Sequence, residues 1–94
     1  MNAAAVRVRL PPILRTVVGG QQEIVGEGVS IESVLRNISQ TNPALGLHLF
    51  DESGNPRRNI VCLHRGTLVR ARDFASRAVA PGDELVMTNA LAGG

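Results

Sequence analysis

One segment with a sustained helical pattern most constrains how this chain can fold. Between Ile31 and Gln40, apolar residues recur at the spacing of a single helix face. Ser30 is a favourable N-cap before this segment, and Asn42-Pro43 ends it. A helix with one apolar face has to bury that face against another element. The rest of the chain must supply that element, and its residues predict strands.

The N-terminal part of the chain predicts two antiparallel strands. From Ala5 to Leu10, apolar and charged residues alternate strictly, which is typical of a half-buried strand. Pro11-Pro12 ends this strand, because neither proline can donate a hydrogen bond to a sheet. We predict a loop over 13–15 that returns its aliphatic side chains to the core, and a second strand from Gln22 to Gly26. The alternation directs Val6, Val8 and Leu10 inward, and Arg7 and Arg9 outward.

The second half of the chain predicts three further strands with little helix between them. Alternating residues indicate each strand, and Pro81-Gly82-Asp83 is a turn signal before the last one. The order of elements places the chain in the α+β class. The expected elements are a short irregular helix over 44–50, strands over 58–65, 67–70 and 84–89, and a one-turn helix over 73–77. The residues expected to point inward are Ile60, Cys62, His64, Leu85 and Met87.

The face of the sheet opposite the helix is a candidate partner-docking surface. Apolar residues on such a face need covering, and a partner protein can cover them. The alternative is a solvated face with scattered aliphatic residues. The residues predicted to share this face are Arg7, Arg9, Val61, Leu63, Val86 and Thr88.

The last four residues, Leu91-Ala92-Gly93-Gly94, predict a flexible arm. Glycine lacks a Cβ, so a Gly-Gly end can enter a narrow channel in another protein, where its working group is the terminal carboxylate. Leu91 and Ala92 are then further candidates for partner contact. The alternative is an ordinary frayed terminus. We therefore divide the chain into a folded domain, 1–90, and a tail, 91–94, which carries the candidate site Gly93 and Gly94.

Composition argues against several classes of function. A chain of 94 residues forms one domain, too small for a deep catalytic cleft. All ten basic residues are arginines, and they are spread among eight acids with no basic run, which does not favour nucleic-acid binding. No apolar run predicts a signal peptide or a membrane span. We expect a cytoplasmic monomer.

The residues with reactive side chains are interpreted as structural. Cys62 alternates with apolar neighbours and is expected to be a buried, unreactive thiol. His48 and His64 lack the spacing of metal ligands, so no metal site is predicted. Asp83 and Glu84 are interpreted first as turn residues.

Several stretches together resemble the ubiquitin-like sulfur carriers of the MoaD and ThiS family. They are Pro12-Ile13-Leu14-Arg15, Gly19-Gly20-Gln21, and Gly82-Asp83-Glu84 followed by an apolar strand that leads to Ala92-Gly93-Gly94. Within the family the chain most resembles the CysO-type carriers of cysteine synthesis. The resemblance implies a β-grasp (ubiquitin-like) fold: a mixed sheet of four to five strands packed on one main helix, with a flexible Gly-Gly tail. The chain departs from the family at Leu63-His64-Arg65, where relatives usually read apolar-Val-Asn.

The resemblance also implies a chemistry in which Gly94 is acted upon by partner enzymes. An E1-like adenylyltransferase of the MoeB or ThiF kind would adenylate its carboxylate with ATP and Mg²⁺, and a sulfur donor would convert it to a thiocarboxylate. A cysteine-synthase-like sulfhydrylase would accept the sulfur, and a JAMM-type metalloprotease is a further possible partner. The chain itself would bind no cofactor and would not be an enzyme. Because the sequence ends at Gly94, we expect activation without prior trimming.

Two alternatives remain open at the level of sequence. The chain could be the small subunit of a molybdopterin synthase, using the same thiocarboxylate within a stable complex. It could instead be a β-grasp interaction module or protein modifier without sulfur chemistry, which would not need Gly93-Gly94. The residues do not distinguish the sulfur acceptor, because that choice belongs to the partner's active site.

Overall fold

A mixed five-stranded sheet is the framework of the protein, seen in a computed structural model that describes residues 4–89 and, for Ala4 and Asn89, the backbone alone. The strand order is β2-β1-β5-β3-β4. Strands β1 and β5 are parallel, and the other neighbouring pairs are antiparallel. The strands are β1 (Ala4–Arg9), β2 (Glu23–Gly28), β3 (Ile60–His64), β4 (Thr67–Arg70) and β5 (Glu84–Asn89).

Within residues 4–89, three α-helices and two 3₁₀ turns connect the strands. The main helix, α2, joins the β1–β2 hairpin to the rest of the sheet, and the short helix α3 follows it directly after the Asn42-Pro43 break. The helices are α1 (Pro12–Arg15), α2 (Ile31–Thr41) and α3 (Pro43–Leu49), and the 3₁₀ turns are Thr16–Val18 and Ala71–Asp73. None of the helices within residues 4–89 has the length and apolar character needed to cross a membrane.

Helix α2 begins with a reciprocal serine cap. The Ser30 hydroxyl accepts a hydrogen bond from the Ser33 amide at 3.2 Å, and the Ser33 hydroxyl accepts one from the Ser30 amide at 2.9 Å. Two of the unpaired amides at the helix start are thereby satisfied. The predicted apolar face is buried throughout, with no more than 1% exposure at Ile31, Val34, Leu35 or Ile38. The predicted helix is confirmed.

Two glycines on β2 let this helix approach the sheet closely. A Cβ added at Gly26 would lie 2.6 Å from Ile38 Cγ2, and one at Gly28 would lie 2.7 Å from the Val34 amide nitrogen. Both distances are too short for real atoms, so only glycine permits this contact. Helix α2 therefore packs directly against the backbone of β2.

The core lies between the sheet and the helices, and the residues predicted to point inward on β1, β3 and β5 are buried. Val6, Val8 and Leu85 are fully buried, whereas Arg7 and Arg9 are exposed. Each buried side chain of Val, Leu or Ile size contributes roughly 1.5–3 kcal/mol relative to exposure. The same buried cluster includes Leu10, Leu14, Leu45, Leu49, Ile60, Cys62, Phe74 and Met87.

Two local predictions are wrong. Residues 13–15 form part of helix α1 rather than a loop, because Pro12 suits the first position of a helix. This helix buries Leu14 but turns Ile13 outward, to 68% exposure. The helix expected over 73–77 is instead the 3₁₀ turn at Ala71–Asp73, followed by hydrogen-bonded turns that reach Arg77.

Candidate functional site

Strand β5 is the element that leads to the C-terminal residues. It lies in the middle of the sheet, parallel to β1 on one side and antiparallel to β3 on the other. The candidate site Gly93 and Gly94, together with Leu91 and Ala92, lies outside the residues that the structure describes, so the tail and its boundary stay predictions. The structure instead describes the two ends of β5 and the sheet face around it.

The start of β5 is fixed by Asp83. Its Oδ2 atom lies 2.7 Å from His64 Nε2 and accepts a hydrogen bond from the Ala80 amide at 2.9 Å. Its Oδ1 atom accepts a hydrogen bond from Arg65 Nη2 at 3.1 Å. The pKa of this carboxyl falls from 3.8 to about 2, mainly through the hydrogen bond with His64, and further through the Ala80 amide and the Arg65 guanidinium. Asp83 is therefore more than the turn residue that the sequence predicted.

His64 is buried between an acid and an arginine. It is 1% exposed, and its Nδ1 atom lies 2.9 Å from Arg77 Nε. Because a guanidinium can only donate, Nδ1 must accept, so the proton of the neutral ring sits on Nε2 and is donated to Asp83. Both ring nitrogens are satisfied, which confirms the structural role predicted for this histidine.

The hydrogen bonds of His64 and Asp83 join neighbouring segments of the chain at the start of β5. His64 ends β3, and Arg65 lies in the turn after it with a φ of 53°. Positive φ is costly for a residue with a Cβ, and the two hydrogen bonds to Asp83 offset part of that cost. The backbone adds two bonds to β1: the Arg7 amide donates to the Asp83 carbonyl, and the Gly82 amide donates to the Ala5 carbonyl.

The open face of the sheet carries a row of aliphatic side chains that crosses three strands. In register, Val86 of β5 stands opposite Leu63 of β3, which stands opposite Leu68 of β4. Leu63 and Leu68 are 41% and 57% exposed, and Val86 is half-buried. The row continues with Arg9 and Glu23 on β1 and β2. Within this row, the charged groups therefore lie on β1 and β2 and the aliphatic groups on β5, β3 and β4.

The strand register places all six predicted docking residues on this face. Thr88 stands opposite Val61, next to the Val86–Leu63–Leu68 row, and Arg7 stands beside Glu84. Val61 departs from expectation because only 5% of it is exposed, so it cannot offer much contact surface. The docking role of the other five residues stays a prediction, and Leu68 is a member of the row that the sequence analysis missed. The alternation over the four residues of β4 was too short to assign Leu68 to this face.

A cleft with both polar and apolar lining lies on the other side of β5, near its C-terminal end. It has a volume of about 400 Å³ and is lined by Met87 and Thr88 of β5 together with residues of α1 and α3. Ile13 and Leu47 of these helices line it and are 68% and 73% exposed. Exposed aliphatic groups therefore flank the C-terminal end of β5 on the helix side.

The remaining reactive residues are not part of a catalytic arrangement in residues 4–89. Cys62 is fully buried, and burial raises the pKa of its thiol to about 12, as expected for an unreactive core residue. His48 is exposed on α3. No group of three or more potential metal-ligating side chains occurs within the described range.

Comparisons with known proteins agree with this architecture. The chain superimposes on SAMP1 of Haloferax volcanii with a TM-score of 0.78, at 22% identity over 97% of this chain and 100% of the other. CysO of Mycobacterium tuberculosis gives 0.75, at 24% identity over 92% and 99%. A chain of the BexX/CysO complex of Amycolatopsis orientalis gives 0.77, at 26% identity over 96% and 100%. The fold is thus the β-grasp fold, as predicted.

The sequence comparison extends this result from fold to family. Curated protein sequences gave no match to the chain. The profile of the ThiS family, however, matches residues 8–94, which includes β5 and continues to the last glycine. This match covers nearly the whole chain, so the protein belongs to the ThiS family of ubiquitin-like proteins.

Proposed function

We propose that this protein is a sulfur carrier whose working group is the carboxylate of Gly94. The observation that carries the proposal is the extent of the ThiS family match, which runs through the Gly93-Gly94 end. The position of β5 supports it, because a central strand with a firmly bonded start gives the tail a rigid base. Because the proposed working group is the carboxylate of Gly94, we infer that partner enzymes supply the catalysis.

The proposed loading reaction has two steps. A carboxylate oxygen of Gly94 attacks the α-phosphorus of ATP, held with Mg²⁺ by an E1-like enzyme of the MoeB or ThiF kind, and pyrophosphate leaves. A sulfide-level donor then attacks the acyl carbon, and AMP leaves with the electron pair of the broken C–O bond. The product is a C-terminal thiocarboxylate, a soft nucleophile. The chain contributes the carboxylate and the surface by which the enzyme holds it.

The loaded carrier would donate its sulfur to an acceptor held by a second enzyme. We propose a cysteine-synthase-like sulfhydrylase in the cytoplasm as this enzyme, with a JAMM-type metalloprotease as a further partner. The likeness to CysO, including the chain in the BexX/CysO complex, supports a carrier that meets its partners through protein contacts. Cysteine or a related thio-metabolite would be the product.

Mass spectrometry of the intact protein tests the proposal. Incubation with an E1-like enzyme, ATP, Mg²⁺ and sulfide is expected to add the mass of one oxygen-to-sulfur exchange at Gly94. A variant lacking Gly93 and Gly94 is the matched control and should show no change. Failure of the full chain with several such enzymes would overturn the carrier function.

Further assays separate the alternatives. Stable co-purification with a large synthase subunit, without support of a sulfhydrylase, would assign the chain to molybdopterin synthase. Retention of activity after removal of Gly93-Gly94 would assign it to a module without sulfur chemistry.

A further inference from the structure

Three arginines converge on one cavity at the edge of the sheet. The cavity has a volume of about 400 Å³ and is lined by Arg58, Arg70, Arg72 and Ala71. Arg58 lies just before β3, Arg70 is the last residue of β4, and Arg72 belongs to the 3₁₀ turn that follows. All three arginines are exposed, and the small Ala71 side chain is buried. We call this arrangement the arginine cavity.

The arginine cavity contains no compensating acid. None of its lining residues is acidic. Across residues 4–89, Arg58, Arg70 and Arg72 enter no ion pair and no side-chain hydrogen bond, whereas Arg36 pairs with Glu32 and Arg65 with Asp83. Like charges held close together repel one another and disfavour the folded state. An anionic ligand would remove this repulsion, and guanidinium groups suit carboxylates because they can donate two parallel hydrogen bonds.

The strand register places the arginine cavity near the C-terminal end of β5. Arg70 stands opposite Val61, and Val61 stands opposite Thr88. Two strand spacings, roughly 10 Å, therefore separate Arg70 from β5. Arg58 precedes Ile60, which pairs with Asn89, the last residue of the strand. Because residues 90–94 follow directly after β5, an enzyme that receives them would bind close to this end of the sheet.

We propose that the arginine cavity binds carboxylates on an acidic segment of the enzyme that activates Gly94. This inference rests on the proposed function and names the chemistry of its partner. The exposed aliphatic row of Val86, Leu63 and Leu68 lies on the same face as Arg70. A free phosphate would neutralise the arginines and leave this row uncovered, whereas a protein surface covers both. The occupant is therefore an acidic patch beside an apolar one.

The expected contribution is moderate and sensitive to salt. Exposed ion pairs contribute little individually, and three together correspond to about a tenfold change in affinity. Charges at an interface act mainly on association, and salt screens them. Loss of the arginines should therefore raise the KM for the carrier and leave kcat unchanged.

Enzyme kinetics provide the first test. The triple variant Arg58→Gln, Arg70→Gln, Arg72→Gln should raise the KM of the activating enzyme about tenfold at low salt, with less effect at high salt. The corresponding triple lysine variant keeps the charge but cannot donate the two parallel hydrogen bonds of a guanidinium group. Its KM should therefore fall between those of the wild type and the glutamine variant. Arg36→Gln, on helix α2, is the control and should leave KM unchanged. An unchanged KM in the glutamine variant, or a fall in kcat alone, would overturn the proposal while the carrier function stands.

A binding experiment tests the arginine cavity directly, even if no enzyme activates the chain. An acetylated hexaglutamate peptide, titrated into the full-length protein at millimolar concentration, should shift the Nε–Hε signals of Arg58, Arg70 and Arg72. The Ala71 amide should shift as well, and that shift should vanish in the glutamine variant. Inorganic pyrophosphate is the second arm. Binding of pyrophosphate without binding of the peptide would assign the cavity to free anions, and no shift with the peptide would overturn the proposal.

Discussion

The two ends of β5 are built in opposite ways. At its start, Asp83 accepts hydrogen bonds from a buried histidine, an arginine and a backbone amide. Near its C-terminal end, three arginines line a cavity without an acid, and aliphatic side chains are exposed on the helix side of the strand. The start stabilises the fold. The other end leaves charge and apolar surface uncovered, which lowers stability and is useful only when a partner is present.

Residues at the start of β5 therefore stabilise the strand, whereas residues near its other end are expected to act in partner reactions of the C-terminal extension. Changes at the start should lower stability and leave the chemistry of the folded protein intact. Changes at or beyond the other end should affect partner reactions and leave stability intact. Variants at each end therefore distinguish the two roles.

The largest effect is expected from one residue added after Gly94. Adenylation requires the carboxylate at the end of the glycine pair, so the extended protein should form no thiocarboxylate, and Gly94→Ala should form it slowly. Intact mass spectrometry measures the product. Thermal unfolding is the control, and its midpoint should match that of the wild type because β5 ends at Asn89. Normal thiocarboxylate formation by the extended protein would contradict the prediction.

The second effect is a loss of stability in Asp83→Ala. This change leaves the buried Nε2–H group of His64 without an acceptor and should lower the free energy of unfolding by about 2–3 kcal/mol. Urea denaturation measures it. Glu84→Ala, at the next position, is the matched control and should change stability by less than about 0.5 kcal/mol. The folded variant should still accept sulfur at the wild-type rate. If Asp83→Ala unfolded at the same midpoint as the wild type, the stabilising role of the start of β5 would be contradicted.

The third effect concerns the open face. Leu63→Asp places a charge within the exposed aliphatic row and should raise the KM of the activating enzyme about tenfold, because a partner would have to desolvate that charge. Val29→Asp is the control, since Val29 lies outside the strands and is 65% exposed. Both variants should unfold near the wild-type midpoint. Equal KM values for the two variants would indicate that the open face is only solvated.

The smallest effect is a dependence of stability on acid pH. The fold lowers the pKa of Asp83 from its ordinary value of 3.8 to about 2, so the folded protein favours the ionised carboxylate. Its contribution to stability is therefore complete above the unfolded pKa and is lost as the pH falls towards 2. Asp83→Asn, which cannot ionise, should show a shallower fall of the melting temperature over this range than the wild type. Glu52→Gln, in an exposed loop, should keep the wild-type slope.

Local patterns were sufficient to predict most of the fold. Alternation in 5–10 and 84–89 and the apolar face of α2 each report on one element, and burial agrees with them. Helix α1 was missed because four residues are too few for a periodic signal, and Pro11-Pro12 suggested a break. The Ser30–Ser33 cap was missed in part, because a serine takes the place usually held by Glu or Gln.

The candidate site was less accessible to sequence reasoning, because its parts meet only in three dimensions. His64 and Asp83 are separated by 19 residues, and nothing local indicates that they pair. The arginine cavity combines Arg58, Arg70 and Arg72, which form no basic run. Conversely, Val61 was assigned to the correct face, but its burial depends on neighbours that alternation does not report.

The burial of Cys62 has a practical consequence for experiments on the loaded protein. It is the only cysteine in the chain, and its thiol is inaccessible, with a pKa raised to about 12. An alkylating reagent at neutral pH would therefore find no competing thiolate in the folded protein. A thiocarboxylate on Gly94 would be labelled selectively, so the fraction of labelled protein would report directly how much carrier is charged with sulfur.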